Sequence, residues 1–143
     1  MSNIIRILST TACGVAGFLW GELDGLLIAL LAFMAFDYLT GVVAAFKYRE
    51  LSSNTGFIGL ARKGLILVVV AIGHILDTQV LGGGSSFFRS ALIGFYLANE
   101  GLSILENAGR LGVPLPVFLR EALRQLKEKN DNPHKEGEKN ETL

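Results

Sequence analysis

Residues 26–46 read LLIALLAFMAFDYLTGVVAAF, apolar almost throughout from Leu26 to Phe46, with the carboxylate of Asp37 close to the centre. At about 1.5 Å rise per residue this run covers roughly 30 Å, the thickness of a bilayer's hydrocarbon core. Only a helix satisfies its own backbone across such a stretch in lipid, so the segment is read as a membrane-spanning helix. A carboxylate at that depth costs on the order of 2.5 to 3.5 kcal/mol on insertion scales. It needs a partner, a water-filled cavity or a proton, and it is a functional candidate by default.

The rest of the chain agrees with a membrane environment. Its 143 residues are 50% hydrophobic and 18% charged, with mean hydropathy +0.44. A soluble domain keeps about a quarter of its residues charged. The charges are also segregated, sparse along long stretches and crowded at the C-terminal end. Net charge is zero, so no basic field points to nucleic acid. A single cysteine, Cys13, excludes an intramolecular disulfide. Arg6 followed by the apolar run Ile7–Trp20 imitates a signal peptide. No small-x-small site precedes a polar domain, however, and a second apolar run follows at once, so an uncleaved first span is expected.

The fold class expected is all-α: an integral membrane bundle of four transmembrane helices with a cytoplasmic amphipathic helix and a disordered tail. The spans lie at about 4–20, 26–46, 64–81 and 90–108, making a transmembrane domain of residues 1–112. Glu22 and Asp24 lie between the first two spans with no base, whereas Lys47, Arg49, Arg62 and Lys63 flank the next connection against one acid, Glu50. The third connection, Gly82-Gly83-Gly84-Ser85-Ser86, is a flexible turn with Arg89 as its nearby base. Arg110, Arg120, Arg124, Lys127 and Lys129 follow the fourth span. The excess of cytoplasmic bases therefore puts both termini and the central loop inside, with Trp20 and Tyr48 as interfacial anchors. After Pro114 and Pro116 an amphipathic helix is expected within 113–129, with Leu119, Leu123 and Leu126 on one face, lying on the inner membrane surface. Residues 130–143 alternate Lys and Glu without apolar spacing and are expected to be disordered.

Two groups of residues are candidates for function. Small residues let helix backbones approach closely in lipid, where association depends on packing and interhelical hydrogen bonds. Cys13 and Gly17, Gly41 and Ala45, and Gly94 and Ala98 are such pairs, serving either packing within one bundle or self-assembly. The second group is polar. With the orientation above, Asp37, His74 and Glu100 each fall near mid-depth on a different span, and Asp77 lies one turn from His74 on the same face. On the fourth span Tyr96, Asn99, Glu100, Ser103, Glu106, Asn107 and Arg110 share an arc of about 120°. Glu106 and Arg110 have the favourable i,i+4 order for an ion pair. The polar arc can be a satisfied seam inside the bundle or a surface that lines an aqueous lesion once copies associate. A proton relay through Asp37, His74 and Glu100 is a third use. No enzyme site is expected: no Cys/His cluster, phosphate-binding glycine loop or nucleophile accompanies the acids, and no cofactor or metal is called for.

The motifs, in order, are Asp37-x-x-Thr40-Gly41, Ala44-Ala45, Ser53-x-x-Gly56-x-x-Gly59-x-x-Arg62-Lys63, Ser103-Ile104-Leu105-Glu106-Asn107 and Arg110-Leu111-Gly112-Val113-Pro114-x-Pro116. Their order and spacing, from Leu26 to Lys129, resemble the bacteriophage lysis and toxin-secretion holin family of Gram-positive bacteria and their prophages. The resemblance implies a homo-oligomer in the bacterial host's cytoplasmic membrane that permeabilises it on schedule. Endolysin then reaches the cell wall without having to touch the holin. A non-lytic pore for a toxin or hydrolase is the alternative from the same family, and a small proton-coupled transporter the alternative from another class.

Overall fold

The computed structural model describes residues 2–119, 121 and 125. Among them the backbone is helical with no strands: α1 (Ser2–Trp20), α2 (Gly25–Lys47), α3 (Ser53–Ile75, running on into a π turn, Leu76–Val80) and α4 (Phe87–Leu111). The segments Asn3–Trp20, Gly25–Lys47 and Ser53–Val80 are long and apolar enough to cross a membrane. The fourth helix is 25 residues long but carries Arg89, Glu100, Glu106 and Arg110. Helical backbone resumes at 117–119. Of the amphipathic helix expected within 113–129, residues 120, 122–124 and 126–129 lie outside the described residues, as does all of the tail 130–143.

Local chemistry sets the helix ends. Asp24, in extended backbone, accepts a hydrogen bond from the Leu27 amide at 2.9 Å and so caps α2. Gly112 closes α4 in the left-handed conformation at φ 91°, with Pro114 two residues on. The turn between α3 and α4 uses Gly82 and Gly83, both at positive φ. Helix α3 begins at Ser53, well ahead of the start expected for the third span at Gly64. Arg62 and Lys63, which read in sequence as bases flanking a loop, therefore lie inside the helix.

The three packed helices are α2, α3 and α4. Arg89 meets Asp24 at the N-terminal ends of α4 and α2, and Lys47 donates to the Leu111 carbonyl at their C-terminal ends, so these two helices run parallel. α3 runs antiparallel to both: Lys63 meets mid-α4 at Glu100, while Gly73 approaches the first turn of α4 at Arg89. The core is small, made of Leu27, Leu30, Met34, Ile66, Val70 and Ile93 with Trp20, Leu67, Leu92, Tyr96 and Leu97 packed around it. Large apolar side chains elsewhere point outward, among them Phe36, Leu39, Val43, Leu65 and Phe95. Such a surface suits lipid, where outward apolar groups carry no penalty. Helix α1 is the extreme case: residues 3–18 are all exposed, and the helix is held at its end by the Trp20 indole N–H donating to the Leu67 carbonyl at 2.8 Å.

Candidate functional site

Asp37, Lys63 and Glu100 sit near the middles of α2, α3 and α4. The Lys63 ammonium donates to Asp37 Oδ2 at 2.7 Å and also to Glu100 Oε2. Lys63 and Glu100 are buried, and Asp37 nearly so. The Asn107 amide lies 3.2 Å from both Asp37 Oδ1 and Thr40 Oγ1, and the Thr40 hydroxyl donates to the Phe36 carbonyl at 2.8 Å. Among the described residues no buried side-chain nitrogen or oxygen lacks a hydrogen-bond partner. Polar groups from α2, α3 and α4 thus pair with one another at one level, as charged groups buried between helices require.

The motif spacing acquires a physical meaning here. Asp37, Thr40 and Gly41 fall on one face of α2, and Asn107 packs against it; a Cβ at Gly41 would stand 3.5 Å from the Asn107 amide nitrogen. Lys63 closes the cluster from α3. On that helix Lys63, Ile66, Val70, Gly73 and Asp77 follow i, i+3, i+7, i+10 and i+14, and all five are buried. The sequence signal for Lys63 was this stripe, which becomes visible once the helix is started at Ser53.

A cleft of about 440 Å³ leads from the cluster to the end where α2 stops and α3 begins. Gly41, Ala45, Ser103, Asn107 and Arg110 line it, with Arg62 and Thr55 on the α3 side. Arg110 does not pair with Glu106 as its i,i+4 spacing suggested. Its guanidinium meets Glu50 at 2.7 Å and lies over the Tyr48 ring at 5.2 Å. The Tyr48 hydroxyl donates to the Arg110 carbonyl at 2.6 Å, which ties the end of α2 to α4 and brings Glu50 within reach.

His74 does not join Asp37 and Glu100. It lies eleven residues beyond Lys63, about 16 Å along α3, and sits against Gly21, where an added Cβ would fall 2.7 Å from its Cε1. Asp77 is fully buried and accepts from the backbone amides of Phe88 and Arg89 at 3.1 and 2.9 Å. It thus places a carboxylate at the N-terminus of α4, where the helix dipole favours one. Arg89, unremarkable in the sequence beyond its charge, is buried as a clamp. Its Nε donates to the Trp20 carbonyl at 2.8 Å, its Nη2 to the Glu22 carbonyl at 3.0 Å, and its fork grips Asp24 at 2.6 and 3.2 Å. That grip, with the Leu27 amide, holds the Asp24 carboxyl below its ordinary range.

The other candidates stay apart from these clusters. Asn99 and Glu106 are exposed on α4, Cys13 and Gly17 on α1, and Gly94 and Ala98 on the outer side of α4. A Cβ at Gly17 or Gly94 would meet nothing within 4 Å.

Residues 14–128 match the bacteriophage holin family. The chain is 37% identical over 114 residues to a Bacillus phage phi105 protein described as a probable holin, covering 80% of this chain and 82% of that one. It is 49% identical over 113 residues to an uncharacterised protein of Clostridium perfringens, covering 79% and 83% of the two chains. A second uncharacterised C. perfringens protein, from the nagH 3′ region, is 46% identical over 132 residues, covering 90% and 99%. No solved structure matches. With a family match over most of its length and a phage relative of this similarity, this chain belongs to the bacteriophage holin family.

Proposed function

We propose that the protein oligomerises in the bacterial cytoplasmic membrane and permeabilises it, releasing an endolysin for host cell lysis. In this role it is not an enzyme. All four helices cross, with both termini and the α2–α3 connection in the cytoplasm. The single observation that carries this is the incompleteness of the monomer as a membrane object. The three-helix unit pairs the polar groups at its own centre, yet α1 packs through its last residues alone and α4 turns Asn99 and Glu106 outward. Crossing by α4 is supported by the pairing of Glu100 with Lys63 and of Arg89 with Asp24, which gives partners to two of the four charges a lone α4 would carry into lipid. A proton relay is not supported, because His74 lies away from Asp37 and Glu100.

The test is inducible expression with membrane potential and release of a cytoplasmic enzyme followed together. Collapse of potential and enzyme release after a delay is expected; unchanged potential and growth would dispose of the holin role. Export of a reporter from cells that stay viable would replace lysis with dedicated secretion.

A further inference from the structure

Among the described residues, Arg6, Glu22, Arg49, Arg62 and Glu106 are the charged side chains with neither an ion pair nor a hydrogen bond. Arg6 is close to the start of α1, and Glu22 and Arg49 lie in connections between helices. Arg62 and Glu106 are different, because they lie well inside α3 and α4. We propose that Arg62 of one copy pairs with Glu106 of a second copy, and that this reciprocal contact along the α3–α4 edge is a homo-oligomer interface. It rests on the assembly proposed above and names the residues that make it.

The depths agree. Lys63 and Glu100 define one level by their ion pair. Arg62 is one residue from it, and Glu106 is six residues on, about 9 Å along α4. Because α3 and α4 are antiparallel, both displacements point to the same end of the bundle, leaving an axial offset of about 7 Å. A guanidinium on a long flexible stem and a glutamate together span that offset. Copies in one bilayer share its normal, so an acid and a base at compatible depth in one chain remain so between chains.

Charge complementarity selects the partner. Arg62 lines the α3 rim of the cleft, and Glu106 is exposed on the neighbouring helix with Asn99 two turns before it on the same side. A two-fold contact uses both residues of both copies, giving two ion pairs with no other protein required. Asn99 adds a polar side chain to the same face, the kind that joins helices in lipid by hydrogen bonding.

The experiment uses full-length protein with two different affinity tags, co-expressed, and reads co-purification from gently solubilised membranes beside enzyme release from cells. Arg62→Glu alone, or Glu106→Arg alone, is expected to lower co-purification on the order of fivefold. Co-expressing the Arg62→Glu chain with the Glu106→Arg chain restores both pairs between copies and should return it to the wild-type level. Rescue by the double variant in one chain, without rescue by the mixture, would overturn the proposal, because the pair then closes within a copy. Wild-type co-purification of both single variants would overturn it equally. Association and permeabilisation are read separately, so assembly without enzyme release would count against the holin role and leave the contact standing.

Discussion

At Lys63 one ammonium serves carboxylates from two other helices, and the cost of a buried charge is met only while all three are present. Lys63→Met leaves Asp37 and Glu100 facing each other without a cation, and losing one partner of a buried ionic cluster costs about 3–5 kcal/mol. A lower melting temperature of helical circular dichroism in detergent is expected. The triple variant Asp37→Asn, Lys63→Met, Glu100→Gln should recover most of that loss, since neutral replacement of a whole buried cluster is often tolerated. An unchanged melt for Lys63→Met would mean that the cluster does not hold the helices. Asp37 and Glu100 were legible from sequence as expensive mid-span acids. Their partner was not, because a lysine beside an arginine at the edge of an apolar run has the composition of a loop flank. Only the true start of α3, set by tertiary contact along its buried stripe, moves Lys63 inward.

At Gly73, α3 passes close against the first turn of α4. A Cβ at Gly73 would lie 2.6 Å from Leu92 Cδ1 and 3.2 Å from the Arg89 backbone nitrogen. The leucine tip can turn aside but the backbone cannot, so Gly73→Ala should cost about 1–3 kcal/mol in the same melt. Just outside the helices, the Arg89 fork fastens the connection between α1 and α2 through Asp24. The Asp24 carboxyl is depressed in the folded protein, so its contribution is fully present above the ordinary carboxylate value of about pH 4. That contribution is lost as pH falls further, through the depressed value. Protease cleavage in the connection between α1 and α2 should therefore rise only in strong acid for the wild type. Asp24→Asn should give raised cleavage at neutral pH with no such acid step, and a wild-type profile in that variant would show the clamp to be idle. Bases and acids at helix ends read in sequence as topology markers. Which of them grip one another depends on which ends fold side by side.

For the whole molecule, the division between packed and unpacked surface decides what remains for assembly. Gly17 and Gly94 have no neighbour within 4 Å of an added Cβ, whereas Gly41 faces Asn107. Gly17→Leu and Gly94→Leu should shift the melt by no more than about 0.5 kcal/mol, as surface changes do, while weakening chemical cross-linking between copies in membranes. Gly41→Leu should instead lower the melt, since the side chain must enter the contact with Asn107. Equal cross-linking in all three variants would remove Gly17 and Gly94 from assembly.

The sequence by itself determined the all-helical membrane character, because uninterrupted apolar length and segregated charge are properties of composition along one dimension. It also marked Asp37 and Glu100 as costly mid-span acids, and it placed Thr40 in the motif of Asp37 and Asn107 on the polar arc of the fourth span. The tertiary structure alone decided the pairing: Lys63 in place of His74 beside the two acids, Glu50 in place of Glu106 for Arg110, and Asp24 for Arg89. Helix periodicity states which face a side chain occupies, but a partner is chosen by where the helices start and how they are set against one another. Those are set by the fit of buried faces that no single segment contains.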